Sequence, residues 1–263
     1  MRNIIVLGVE HSHVFQLARA AQRSDCLSLA GVHDPDPQKG REAAQMLETS
    51  FAEDVNELWA KEPAVALIGS APAERPKWIL QALRAGAHVI TDKPLALTRA
   101  SLEEVMQASQ RYDRRVIVFY SYRGAPAVLA AKRALEEGRI GELVRVFTSG
   151  PHKIKAQSRP DWHWTAAGNG GALIDIGSHY LDLCCWIASQ TPQWITARHA
   201  NYTQPSHPEF QDYALAQMQF PNGALGVIEI DWLHPAAAKK WGDTRLWIQG
   251  TRGKIEVRMS EGI

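Results

Sequence analysis

The sequence predicts an α/β chain in two parts. The first is an N-terminal doubly wound parallel sheet, and the second a C-terminal α+β domain with a largely antiparallel sheet. Three observations predict it. Short apolar runs alternate with amphipathic segments over the first 120 residues, the order that builds a parallel sheet with helices on both faces. The alternation stops after Tyr122. Beyond it, turn residues separate paired strand-like runs. A chain of 263 residues suffices for one large domain or two modest ones, each with its own core.

The elements follow in order. Residues 3–7 read as a strand and 14–22 as a helix; 28–32 and 37–47 repeat the pair. Residues 64–68 are strand-like, and 76–85 helical, closed by Gly86 as a natural C-cap. Strand 88–91, helix 101–111 and strand 115–120 complete the first part. A helix over 127–137 then leads into a strand at 143–148. After a polar, irregular stretch, a glycine-opened apolar helix runs from 171 to 189. Strands 212–220 and 224–232 flank Pro221-Asn222-Gly223, a hairpin signal, and strands 244–249 and 254–257 flank a second turn. The boundary is expected near 122–126, giving domains 1–122 and 123–263. Residues 259–263 form no obvious closing element, so the second domain reads as abbreviated or cut short.

Composition narrows the function. The net charge of +1 offers no basic field to nucleic acid or an anionic membrane. The apolar run 4–8 is too short for a secretory segment. No stretch approaches the roughly eighteen apolar residues of a membrane span. Three cysteines, Cys26, Cys184 and Cys185, suit a reducing compartment, with the adjacent pair read as helix core. A cytoplasmic protein is expected.

The first strand–turn–helix carries the first chemical signal. A dinucleotide site of Rossmann type uses glycines so that backbone can approach a pyrophosphate at a helix N-terminus. Here the loop is Gly8-Val9-Glu10-His11-Ser12-His13, and only the first glycine survives. A plain turn with Ser12 as N-cap would look much the same. Asp34 follows the second strand, where an acid accepts from a ribose hydroxyl pair and repels a 2′-phosphate; NAD is therefore preferred over NADP. Asp34 also begins an Asp34-Pro35-Asp36-Pro37 turn, and both roles are compatible. His11 and His13 stand two apart and have no acidic or thiol partner in sequence, so no metal site is expected.

Thr91-Asp92-Lys93-Pro94 ends a strand, at the edge where open α/β sheets place ligands. A lysine there can donate to a substrate hydroxyl; a surface lysine before a proline turn is the plainer reading. The second signal is Gly168 to Asp182. On one helix Asp175 and His179 share a face, with Asp182 one turn on, and a carboxylate beside an imidazole suits a general base. Glycines at 168, 170, 171 and 177 are costly in a purely structural helix.

Together these segments resemble the Gfo/Idh/MocA oxidoreductases, which include inositol and glucose–fructose type dehydrogenases. Asp92-Lys93-Pro94 resembles the family's E-K-P, and Tyr122-Arg123 with Pro126 its Y-R-x-x-P. Glu137-Gly138-Arg139-Ile140-Gly141 resembles its E-G-x-I-G connector, and Gly170 to Asp182 its glycine-rich D-x-G-x-H-x-x-D helix. The resemblance runs from Asn3 to about Val257. It implies an NAD-dependent dehydrogenase of a sugar, cyclitol or related polyol. Lys93, Asp175 and His179 would be catalytic, with Trp162 and Trp164 joining them at the substrate. Gly8, Glu10, His11, Ser12, His13, Asp34, Ser70, Pro72, Arg75, Asp92, Lys93 and Arg123 would surround the cofactor. Packing between domains is an equal reading for the two tryptophans. The chain departs from the family in Asp92 for Glu, in Arg75 where His is frequent, and in its degenerate glycine loop. An NAD-dependent glycoside hydrolase and a non-catalytic nucleotide-binding module are the alternatives. In either case the resemblance implies a homodimer or homotetramer formed through the C-terminal sheet.

Overall fold

The computed structural model describes residues 1–259. The chain divides into two compact units, Met1–Phe119 and Tyr120–Ile263. The expected boundary at 122 falls inside a short 3-10 turn, Ser121–Gly124, that opens the second unit.

In the first unit the chain runs β1 (Arg2–Val9), α1 (His13–Gln22), β2 (Leu27–His33), α2 (Pro37–Met46), α3 (Asn56–Trp59), β3 (Val65–Gly69), α4 (Arg75–Arg84), β4 (His88–Asp92), α5 (Arg99–Arg111) and β5 (Val116–Phe119). The described strands form one parallel sheet in the order β2-β1-β3-β4-β5. Alternation along β1 shows why helices cover both faces. Ile4 and Val6 pack with Val14 and Ala18 of α1 and Ala43 of α2. Ile5 and Leu7 point the other way, to Ile79 and Leu83 of α4 and Val105 of α5. Gly86 takes φ +83° just past α4, the left-handed stop its sequence position predicts.

The second unit contains α6 (Pro126–Glu136), β6 (Leu143–Pro151), α7 (Ala166–Asn169), α8 (Ala172–Asp175), α9 (Gly177–Ala188), β7 (Trp194–Ala200), β8 (Tyr213–Gln219), β9 (Leu225–Asp231), β10 (Arg245–Gly250) and β11 (Lys254–Arg258). Its described strands order as β11-β10-β6-β9-β8-β7; β6 and β9 are parallel and the other neighbours antiparallel. One face alternates inward as Val146, Ala214, Ala216, Ile228, Ile230, Leu246 and Ile248, packed with Tyr180, Leu183, Cys184 and Ile187 of α9. Cys184 is fully buried in this core and burial pushes its thiol up, whereas Cys185 is partly buried and Cys26 exposed. Among the described residues no helix is long and apolar enough to cross a membrane.

Candidate active site

The first half of the site follows from topology. The chain leaves β1 for β2 on one side and reaches β3 on the other, so a crevice opens at the carboxyl ends of β1 and β3. Gly8 turns there with φ +74°, and a Cβ on it would lie 2.6 Å from Ser70. Ser70 is buried, and its hydroxyl has no hydrogen-bond partner among the described residues. Pro72 is buried at the start of the next turn. Ser12 makes no side-chain cap and the first turn of α1 carries no acid, which leaves that helix end open to an anion. A glycine-only turn, an orphan hydroxyl and an open helix end fit a dinucleotide.

Two expected cofactor residues already have partners within the unit. Asp34 is buried; its two oxygens accept from the Val9 and Asp36 amides, both at 2.8 Å. Burial pushes its carboxyl up, and those amide bonds oppose the push. The turn-forming role is therefore realised, and a ribose contact would add to it. Glu10 lies 2.5 Å from Lys39 of α2, a bond that raises the lysine.

The end of β4 corrects the expectation that His11 and His13 lack an acidic partner. Asp92, fully buried, meets His11 Nδ1 with one oxygen at 2.9 Å and His13 Nδ1 with the other at 2.8 Å. His13 also packs edge-on to Phe119. Burial alone would raise Asp92. The two imidazole bonds and the charges of His11 and Lys93 override it and hold the carboxyl far below the ordinary range. Arg75, expected beside the cofactor, is almost wholly buried. Its guanidinium donates to the Ser70 carbonyl (3.0 Å), to the Lys93 and Pro94 carbonyls (2.5 and 2.8 Å), and to Asp92 (3.5 Å). It therefore positions Lys93, itself buried, at the carboxyl edge of the sheet.

In the second unit the expected continuous helix over 171–189 is broken. Gly170 and Gly171 both adopt left-handed φ, and a Cβ on Gly171 would fall 2.3 Å from Gln211. The chain restarts as α8, which ends at Asp175, and continues as α9, joined by a tight turn in which the His179 amide donates to the Ile176 carbonyl at 3.1 Å. Asp175 and His179 thus sit on consecutive helices, with Ile176 between them still in helical conformation. His179 is buried with its ring 5.0 Å from Tyr122 and 5.8 Å from Tyr120. The Tyr122 hydroxyl lies 3.3 Å from Thr244 and 3.4 Å from Tyr180, which fixes the ring against the imidazole. Asp182, expected beside His179, is held by Arg123 in a two-pronged pair at 2.7 and 2.5 Å. Arg123 thereby has a partner within its own unit.

Trp164 stacks on His207 at 4.2 Å and leans on Phe210, which is packing within the unit. The Trp162 indole N–H is buried without a hydrogen-bond partner among the described residues. Arg159 was missed in sequence. Its guanidinium lies over Trp232 at 4.5 Å and Trp241 at 5.6 Å, and Nη2 is buried without a partner among the described residues. Burial lowers its pKa, and the nearby charge of Asp175 opposes that. A cation inside a tryptophan-rich stretch is the signal that could have found it.

Comparisons with known proteins agree with this layout. A model for an oxidoreductase family with an NAD-binding Rossmann fold matches residues 2–120, and one for the GFO/IDH/MocA C-terminal domain matches residues 128–256. Inositol 2-dehydrogenase 2 of Saccharopolyspora erythraea is 26% identical over 230 residues, covering 86% of this chain and 63% of that protein. The 2,7-anhydro-N-acetylneuraminate hydratase of Mediterraneibacter gnavus is 24% identical over 229 residues, covering 86% and 60%. A solved structure described as an oxidoreductase, from Erwinia carotovora atroseptica, is 29% identical with TM-score 0.92, covering 98% of this chain and 78% of that one. The chain spans less than two thirds of the length of these two curated relatives. With both halves matched by models that bear one family's name, the chain belongs to the GFO/IDH/MocA oxidoreductase family, whose N-terminal domain is an NAD-binding Rossmann fold.

Proposed function

We propose that the chain is an NAD-dependent oxidoreductase acting on a hydroxyl-bearing carbon of a sugar, cyclitol or related polyol. The observation that carries this reading is Lys93, buried and braced by Arg75 at the carboxyl edge of β4, where open α/β sheets bind ligands. When bound, the nicotinamide supplies the hydride acceptor. Gly8, Ser12, Ser70 and Pro72 shape the crevice that would hold the dinucleotide. Lys93 donates to the substrate oxygen and polarises it. His179, oriented by the Tyr122 ring, takes the hydroxyl proton. Asp175 binds a neighbouring hydroxyl or tunes the imidazole. Buried Asp34 favours NAD, because its carboxylate would repel a 2′-phosphate.

Absorbance of NADH, followed while NAD and a panel of polyols are supplied, tests the reading. Turnover that disappears in Lys93→Ala and falls about 10²–10⁴-fold in His179→Asn is expected. Tight NAD binding without turnover on a broad panel would count against it, and failure to bind any dinucleotide would favour a non-catalytic module. A redox-neutral reaction, in which the hydride returns to the sugar, is the second reading. Similarity to a hydratase of an anhydro sugar favours it, and product formation without net NADH distinguishes it.

We further propose a homodimer or homotetramer formed through the outer face of the C-terminal sheet. That face carries Phe147 stacked on Trp247 at 5.0 Å, with partly exposed Leu215 and Val227. Light scattering after size exclusion, compared with Trp247→Glu, tests this.

A further inference from the structure

This inference rests on the cofactor reading above and concerns how the pyrophosphate is held. A glycine-rich loop offers main-chain N–H groups to phosphate oxygens. Here several of those amides are already spent. Val9 donates to Asp34, His11 to the Gly69 carbonyl at 3.2 Å, and Val14 to the His11 carbonyl at 3.2 Å. The imidazoles at 11 and 13 stand where the loop would otherwise be bare backbone.

Their protonation can be deduced from Asp92. A buried carboxylate held ionised can only accept, so the His11 and His13 Nδ1 atoms facing it at 2.9 and 2.8 Å both carry hydrogen. The His13 amide also lies 3.3 Å from His11 Nδ1, but that long contact cannot compete with a shorter one to an anion. In a neutral imidazole with hydrogen on Nδ1, Nε2 is an acceptor and repels phosphate oxygen. Only after taking up a second proton does Nε2 become a donor. His11 can do so, because its side chain is 34% exposed while Asp92 behind it is fully buried.

We propose that the His11 imidazolium, oriented by Asp92, binds the dinucleotide pyrophosphate, so that cofactor binding takes up a proton. His13 holds the second Asp92 oxygen and completes the clamp. The groups facing His11 fix the sign. Burial and the neighbouring His13 and Lys93 lower its pKa in the free protein, against the raising effect of Asp92. Arg75 adds a further positive charge, 3.5 Å from the same Asp92 oxygen that His11 meets. A pyrophosphate reverses the balance and raises the imidazole. Affinity is then greatest at acid pH and is lost as pH rises through the value of the complex.

Two histidines and a carboxylate are also a transition-metal donor set, and here their ligating atoms lie within 4.8 Å of one another. The surroundings favour an anion instead. Both Asp92 oxygens already accept from imidazole, and Arg75 and Lys93 place fixed positive charge beside them.

Isothermal titration of ADP-ribose, which carries the pyrophosphate without the nicotinamide, tests the proposal in buffers of differing ionisation enthalpy. Net proton uptake near neutral pH is expected, with Kd weakening by up to about tenfold per pH unit above it. His11→Gln should abolish the uptake and flatten the pH profile. Binding of equal strength across about pH 6 to 8 with no proton uptake would overturn the proposal while leaving the cofactor reading intact. Failure to bind ADP-ribose or NADH at any pH would overturn both. Loss of binding on dialysis against EDTA, restored by zinc, would overturn it in favour of a metal centre. The buffer series uses the unaltered chain, so the test does not depend on how the variant folds.

Discussion

Two charges, Asp92 in the first unit and Arg159 in the second, are held by opposite means. In the first, Asp92 is gripped by two imidazoles and a guanidinium through directional bonds. In the second, the partly buried Arg159 lies over the faces of Trp232 and Trp241. A clamped carboxylate has one geometry. A cation over a ring can shift with little loss, because the attraction varies gently with position.

The largest test of that contrast is Arg75→Met. It leaves Asp92 buried without its guanidinium and frees the loop that carries Lys93. We expect a loss of about 3–5 kcal/mol in chemical denaturation, the cost of breaking a buried pair. A loss below about 1 kcal/mol would break the comparison. The pH dependence has a definite sign. Asp92 has a folded pKa held below its unfolded value of about 3.9, so its contribution is present above that value and disappears as pH falls through the folded one. Acid unfolding of Asp92→Asn should therefore lack a component that the unaltered chain shows in strong acid.

Next in size is Arg159→Met, which keeps the aliphatic stem on Trp232 and removes the charge. A loss of about 0.5–2 kcal/mol is expected, read as a shift in thermal midpoint. A loss as large as that of Arg75→Met would show that the second unit is clamped as firmly as the first. The smallest effect should come from Asp182→Asn. Arg123 is 46% exposed, so this pair is worth about 0.2–1 kcal/mol and should weaken further in high salt.

What could be read in the sequence was whatever repeats locally. The apolar alternation of 3–7 and 28–32, the Gly86 stop and the Pro221-Asn222-Gly223 hairpin each announce themselves within a few residues. β7 escaped because it is an edge strand, exposed from Trp194 to His199, with no buried face to impose a period of two. The break between α8 and α9 escaped because Gly177 stands there for closeness to Ile230 and Leu173, each 3.2 Å from where its Cβ would be. The Asp92 cluster escaped for a different reason. His13 and Asp92 are 79 residues apart, and only the parallel sheet order brings the ends of β1 and β4 near each other. Arg75 was legible as a departure from the family's usual residue, but not as a brace, since its partners are backbone carbonyls that carry no sequence signature.

The thiol of Cys184 has a practical consequence. It lies on α9 five residues beyond His179, wholly enclosed, with its ionisation suppressed, while Cys26 is open to reagent. An alkylating probe should consume Cys26 at once, the partly buried Cys185 more slowly, and reach Cys184 only when the helix detaches from its sheet. The slowest phase of labelling, that of Cys184, would then be a clock for the opening of the segment that carries the candidate base. It could be read without substrate or cofactor, and it should slow if a bound sugar steadies that helix.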